Sequence, residues 1–384
     1  MEIKEESIQP RNRIIMLALF PPPFSSGERI LNQMNKEILA QKYDIISFNV
    51  STGFLNPDRF NLLKVKNQIS TLFLYCKAML SIQQLIRKEK IHGFYMVTPG
   101  SVFGHIRDSI IFSLVSTKVT TKIAFIQNGH IANVFQKKWH SHFTNKFIEH
   151  ASYFVFTSKG LKEKVTGITE NKKQILYNSI DTALIFSAIE LQNKRLLYNK
   201  NNNKLHILYL SNMTPSKGYM DVALAVLALH KKGFIQVANF VGEWLSDEQL
   251  LEFKKFVLEN GLSDIVQIHG KINDRQKIKL FYSTADFFVL PTYYSHEAQP
   301  VSILEALNAG IPVIATNHAS IPEMIMDGYN GKLVSKKQPE AIVAAIESSM
   351  SPDIWLQMSE HAHHSFEQKF SRAAYEKKLL ALFE

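Results

Sequence analysis

Residues 291–316 read PTYYSHEAQPVSILEALNAGIPVIAT, and their punctuation resolves a strand end, a polar loop, a short helix and a second strand. The run just before them, residues 286–290 (DFFVL), is apolar, of strand length, and stopped by Pro291. Gln299 and Pro300 open a helical segment over residues 301–309, with proline in the first turn, where its missing N–H costs nothing. Gly310-Ile311-Pro312 ends that helix, and residues 313–315 form another buried-strand run. Glu297 falls in the loop at the carboxyl end of the first strand, and Glu305 one to two turns into the helix. Ligands of open α/β sheets sit outside the carboxyl ends of strands, against helix N-termini. The two carboxylates can therefore face one ligand from two sides, while the helix start between them offers N–H groups to an anion.

Outward from this stretch the same alternation continues. Strand patterns at residues 13–20, 43–49, 94–98, 121–127, 153–157 and 174–177 alternate with helical patterns at 28–41, 61–90, 103–116, 137–150 and 159–165. A polar segment over residues 184–204, ending NKNNNK, reads as a linker. Strands at 205–210, 236–241, 266–269, 286–290, 313–316 and 332–334 then alternate with helices at 219–231, 247–260, 274–283, 301–309 and 339–349, and residues 353–383 read as a helical tail. Strand–helix alternation on this scale predicts parallel, doubly wound sheets. The chain's 384 residues are too many for one compact core. The expectation is an α/β protein with an N-terminal domain over residues 1–183 and a C-terminal domain over residues 205–365.

Inside the frame E-A-Q-P…L-E-A-L…G-I-P-V-I-A-T, the pair Glu297 and Glu305 resembles the E-x7-E signature of retaining glycosyltransferases of the GT-B fold, family 4. The resemblance is firm over residues 205–345 and looser over residues 1–183. It implies two Rossmann-like domains facing across a cleft, with a last helix, within about residues 366–384, crossing back to the first domain. It also implies transfer of a sugar, with retention, from a nucleotide diphosphate sugar (a UDP- or GDP-sugar) to a hydroxyl of a glycan or lipid-linked acceptor in cell-surface polysaccharide or lipopolysaccharide synthesis. No cofactor and no metal are expected, the nucleotide sugar being substrate. A GT-B nucleotide-sugar epimerase, or a binding protein without catalysis, is the alternative.

The resemblance also assigns residues. Glu297 hydrogen-bonds the donor sugar, and main-chain N–H groups around Pro300, Val301 and Ser302 meet the phosphates. Glu305 holds the ribose hydroxyls, as a carboxylate accepting two O–H donors can. Lys217 and Gly218, in SNMTPSKGY, match the Lys-Gly of the family's G-R-x-x-x-x-K-G diphosphate loop. Asn212 stands in the Arg position of that loop, which removes a charge and a bidentate fork. Gly242, after the strand ending at Val241, and Lys271, in His269-Gly270-Lys271, are candidates to line the nucleotide pocket. In the first domain, Gly27 in FSSG follows the first strand and can let backbone approach a phosphate. His130, in IQNGH, falls near the family's His-Gly, where a histidine faces the donor sugar; Asn128 occupies the His slot itself. Each also has a plain reading: Lys217-Gly218 as an exposed turn, the glutamates as solvated acids, His130 as a surface loop residue.

The net charge of +10 is uneven. Residues 1–200 hold 27 Lys/Arg against 14 Asp/Glu, and residues 201–384 hold 17 against 20. A basic first half suits a polyanion or an anionic membrane surface. Phe135, Trp139, Phe143 and Phe147 recur every four residues among bases, which fits either a membrane-surface helix or core packing. No run of 18 uncharged apolar residues and no export signal is read from the sequence, and one cysteine, Cys76, excludes an internal disulfide. The expected location is cytoplasmic, peripheral on the inner face of the membrane. No G-x-G-x-x-G or P-loop is present, and His140/His142 and His361/His363/His364 lack partners at metal-ligand spacing, so solvated helix positions are expected for them. The acidic second half argues against a nucleic-acid partner.

Overall fold

The computed structural model describes residues 11–21, 27–51, 61–115, 118–200, 204–233 and 235–384. It divides into two compact units: Met1–Thr157, Lys162–Leu176 and Glu376–Glu384 form one, and Ser158–Leu161 and Tyr177–Tyr375 the other. Through the first run β1 (Arg13–Ala18), α1 (Gly27–Ala40), β2 (Asp44–Asn49), α2 (Asn61–Lys88), β3 (Ile91–Thr98), α3 (Val102–Val115) and β4 (Val119–Ile126). They are followed by α4 (Ile131–Phe135), α5 (Ser141–His150), β5 (Tyr153–Phe156), α6 (Lys159–Lys164) and β6 (Lys173–Ile175). The six strands form one sheet in the order β2-β1-β3-β4-β5-β6. Every pairing is parallel.

The second unit runs α7 (Ala188–Lys200), β7 (Lys204–Leu210), α8 (Tyr219–Lys231), β8 (Ile235–Val241), α9 (Asp247–Glu259), β9 (Val266–Gly270) and α10 (Arg275–Thr284). It continues with β10 (Phe287–Leu290), α11 (Val301–Asn308), β11 (Val313–Thr316), β12 (Gly331–Val334), α12 (Pro339–Glu347) and α13 (Pro352–Lys369), and α14 (Arg372–Ala381) starts in this unit and ends in the first. Its sheet is again six-stranded, in the order β12-β11-β10-β7-β8-β9, and parallel throughout. Parallel strands joined by helices are covered on both faces, so they read as continuous apolar runs. All four residues of β10 and of β11 are buried. Chain order reverses between β7 and β10, where one connection leaves to each side of the sheet. That reversal opens a crevice at the carboxyl edge.

Two segments differ from their sequence reading. Residues 188–200, read as linker, are helix α7, because its inward side is anchored. Lys194 is buried, and its ammonium donates to the carbonyls of Tyr282 (2.6 Å), Ala285 (2.7 Å) and Ser283 (3.4 Å) at the carboxyl end of α10. A cation at a helix C-terminus satisfies carbonyls that have no intrahelical partner. One turn on, the Tyr198 ring stacks on Trp355 of α13 at 3.8 Å. A lysine that looks solvated in the sequence is here a helix cap.

The second segment is residues 137–150, read as one helix with an aromatic face. The helix breaks: α4 ends at Phe135, a 3₁₀ turn spans Lys138–His140, and α5 starts at Ser141. Phe147 is fully buried, with ring centres of Phe112, Phe154 and His105 at 4.8, 5.1 and 5.4 Å. Core packing thus accounts for that end of the stripe, while Trp139 stays exposed. His140, expected in solvent, is buried, its Nδ1 3.3 Å from the Thr144 hydroxyl.

The end of the chain lies in the first unit. Phe383 is fully buried, its ring so close to Gly93 that a Cβ there would lie 2.7 Å away. His92 Nε2 donates to the Phe383 carbonyl at 2.5 Å. Phe383→Ala should therefore cost the first unit about 3–5 kcal/mol, as loss of a buried ring does. Urea unfolding followed by fluorescence checks this; an unchanged midpoint would mean the terminal ring is not part of that core.

Candidate functional site

The residues nearest the β7/β10 crevice come from two loops. After β7 the chain makes a 3₁₀ turn, Pro215–Lys217, closed by Gly218 at φ 79°. A Cβ on Gly218 would meet the Pro291 carbonyl at 2.6 Å, so glycine is required both for the left-handed backbone and for the close approach of the two loops. After β10, Tyr293 N–H donates to the Ser216 carbonyl at 2.8 Å, which ties the loops together.

That tie brings Lys217 and Glu297 into contact. Lys217 Nζ lies 2.5 Å from Glu297 Oε2, with side chains 17% and 8% exposed. Thr292 Oγ1 donates to the same carboxylate oxygen at 3.1 Å. Thr292 is itself held by the Thr316 hydroxyl, which donates to its carbonyl. The Tyr294 ring lies 5.1 Å from Lys217 Nζ, a cation–π contact. A partly buried ion pair is favourable only with such added hydrogen bonds.

Pro300, Val301 and Ser302 form the start of α11, with Pro300 at the N-cap and no side chain capping the helix. Free backbone N–H groups at a helix start attract an anion. Glu305 sits on the same helix, buried, and accepts from the Tyr282 hydroxyl at 2.7 Å. Burial raises the Glu305 carboxyl above its ordinary range, opposed by the Tyr282 hydrogen bond and the nearby Arg275. Behind the helix start, Gln299 Oε1 accepts from Asn178 N at 2.6 Å.

The far side of the crevice is made by the ends of β8 and β9. Gly242 N–H donates to the Gly270 carbonyl at 2.8 Å, and a Cβ on Gly242 would come within 1.8 Å of the Ser211 carbonyl oxygen. Lys271 pairs with Glu243 at 2.8 Å, both about half exposed. Asn212 is exposed beside them, and its carbonyl accepts from Thr214 N at 2.8 Å.

Lys217, Gly218, Glu297, Pro300, Val301, Ser302, Glu305, Asn212, Gly242 and Lys271 thus all border the carboxyl edge of the second sheet. Gly27 and His130 belong to the first unit. Gly27 is the first residue of α1, and residues 24–26 of its loop lie outside the described residues. His130 is the N-cap residue of α4, its N–H donating to Asn128 Oδ1 at 2.8 Å and its Cβ packed against Gly100. The sequence reading missed Thr292, which steadies Glu297, and Tyr282, which holds Glu305. Only the contacts identify them, since neither lies within a motif.

Comparison with known proteins agrees with the fold. HepE from Anabaena, solved in complex with UDP, superposes with a TM-score of 0.71 at 15% identity, covering 96% of this chain and 98% of that one. The fold is the GT-B class, two six-stranded parallel α/β units. Residues 192–369, which hold every crevice residue above, match the family model described as Glycosyl transferases group 1. The putative colanic acid biosynthesis glycosyltransferase WcaL of Salmonella typhimurium is 27% identical over 188 residues, 47% of this chain and 45% of that protein. The amylovoran biosynthesis glycosyltransferase AmsK of Erwinia amylovora is 27% identical over 146 residues, 37% of this chain and 35% of that protein. The match spans less than half the length of these two relatives.

Two outcomes follow from the packing. Gly242→Ala should destabilise the second unit by about 1–3 kcal/mol, the usual cost of forcing extra atoms into a packed contact; an unchanged thermal midpoint would contradict the close approach to Ser211. Glu305→Gln keeps an acceptor for Tyr282 and removes the buried charge. Because the folded carboxyl titrates above its unfolded value, it costs stability once pH rises through the folded value. The variant should therefore match or exceed the parent's melting temperature at pH 8 and lose that advantage in acid. A lower midpoint at pH 8 would refute the burial account.

Proposed function

We propose that this chain is a retaining glycosyltransferase. It would move a sugar from a nucleoside diphosphate sugar to a hydroxyl of a glycan or lipid-linked acceptor in cell-surface polysaccharide synthesis, from the cytoplasmic side. The carrying observation is the contact of Lys217 with Glu297 at the strand-order reversal of the second sheet, beside the open start of α11. A phosphate needs a cation and N–H donors, a sugar needs a carboxylate that accepts hydroxyls, and all three are supplied within one crevice. The UDP bound by HepE, and the colanic acid and amylovoran pathways named for WcaL and AmsK, support a uridine nucleotide and a glycan acceptor.

In this reading the diphosphate displaces Glu297 from Lys217, taking the ammonium and the α11 N–H groups. Glu297, released, accepts hydroxyls of the sugar, and Glu305 holds the ribose. The bond from C1 of the sugar to the phosphate oxygen breaks while the acceptor oxygen bonds to C1 on the same face. The acceptor proton passes to the departing phosphate oxygen. Charge on that leaving group is met by Lys217 and the helix start.

Release of nucleoside diphosphate from UDP- and GDP-sugars, measured with and without a glycan acceptor, tests the proposal. Lys217→Ala should lower turnover at least tenfold, about 1.4 kcal/mol of barrier; a near-parental rate would remove Lys217 from the mechanism. A second reading rests on Asn212, an uncharged side chain where the resembling family has arginine: binding of a nucleotide sugar without transfer. Donor binding with no acceptor-dependent release would favour it.

A further inference from the structure

The first unit carries an apolar face that none of its described residues covers. Helix α2 turns Tyr75, Ala78, Ile82 and Ile86 inward, at positions separated by three and four residues. Its outer side also carries large apolar side chains: Leu72, Phe73 and Leu80 are 60%, 67% and 69% exposed. Residues Ile69–Lys88 are long and apolar enough to cross a membrane, yet only 22% of that stretch is buried. A helix with large apolar side chains on both sides belongs in a core or against lipid, and the described residues provide no core on the outer side.

Helix α3 extends the face. Arg107 stacks on the Tyr75 ring at 3.7 Å, and Gln83 Nε2 donates to the Leu114 carbonyl at 3.0 Å. Both contacts advance in the same direction along the two helices, so these run side by side over about two turns. The outer side of α3 presents Phe103, 85% exposed, with Ile110 and Leu114 on the same helical face. The result is a two-helix ridge of large aliphatic and aromatic side chains, far beyond the scattered exposure normal for a surface.

Its rim is cationic. Between residues 69 and 118 there are six Lys/Arg and two Asp/Glu, and both acids are engaged, Glu89 with Arg13 and Asp108 with Arg107. Arg87 lies seven residues after Leu80, on the apolar side of α2, with Lys88 and Lys90 beyond it. A second copy would bring no free anion to these bases, since both acids of the segment are already paired. An anionic headgroup layer meets both requirements at once, taking the apolar ridge into the acyl boundary and the bases at its edge.

We infer that the α2–α3 face docks on an anionic lipid bilayer, both helices lying in the interface plane and neither crossing it. This surface is distinct from the residue 135–147 stripe, and the inference does not depend on the chemistry proposed above. Cys76, the chain's one cysteine, is exposed on α2 among the ridge residues and gives a direct probe. An environment-sensitive thiol fluorophore on Cys76 should shift to the blue and become protected from iodide when phosphatidylglycerol-containing vesicles are added. Pure phosphatidylcholine vesicles should not produce this, and salt should weaken it. The triple variant Leu72→Ser, Phe73→Ser, Phe103→Ser should reduce vesicle binding of the unlabelled protein by about tenfold or more. All three side chains are exposed, so its melting temperature should stay near the parent's, which separates lost docking from lost folding. No vesicle binding, binding that leaves the Cys76 probe open to iodide, or protection that appears without vesicles as protein concentration rises would each overturn the inference.

Discussion

An ammonium and a carboxylate, Lys217 and Glu297, meet at 2.5 Å in a place where little water reaches either. Eighty residues separate them in the chain. They meet because β7 and β10 are neighbours in the sheet although three strands apart in sequence, and because both connections leave the carboxyl edge at that point. The backbone around them is arranged to keep the two loops close, with a glycine where any side chain would strike Pro291 and a threonine that both steadies the carboxylate and is itself held by β11. A pair of opposite charges so placed is poorly solvated and costs free energy that its own attraction only partly offsets. In the proposed function it exchanges partners for a ligand that brings negative charge to the lysine and hydroxyls to the glutamate.

Glu305 plays the complementary part. It is the buried acid of α11, with one neutral donor, Tyr282, and its carboxyl is raised above the ordinary range by lack of solvent. Leaving such a group in a helix between two fully buried strands is a loss for folding, and an apolar residue would serve the core better. Its presence is explained if hydroxyls of a bound molecule complete its hydrogen bonding. The same logic separates the crevice from Lys194, which is as deeply buried but fully occupied with three carbonyls and so has nothing left to offer a ligand.

Much of this was legible in residues 291–316, because proline and glycine mark element ends by local backbone chemistry that needs no tertiary context. Alternating strands and helices likewise gave both sheets. Three things were not legible, each for a physical reason. Lys194 and the polar run after it look like linker, since no local signal shows that an ammonium will cap a helix more than eighty residues away. The aromatic repeat from Phe135 to Phe147 looks like one helix face, whereas a 3₁₀ turn interrupts it and core contacts from α3 and β5 decide its packing. The partners of the two signature glutamates, Thr292 and Tyr282, carry no motif and are brought in by strand order alone. The outer face of α2 was hidden because an amphipathic pattern over residues 61–90 leads one to expect a single apolar side, turned inward, whereas Phe73 and Leu80 stand exposed on the other.

The proposed role therefore rests on whether the ion pair in the crevice is the seat of a diphosphate. A structure determined with UDP or GDP bound decides this most directly. The account predicts that the Lys217–Glu297 contact opens, that Lys217 Nζ moves within hydrogen-bond distance of a phosphate oxygen, and that the ribose hydroxyls reach Glu305. A nucleotide bound elsewhere on the chain, with the contact still closed, would contradict it.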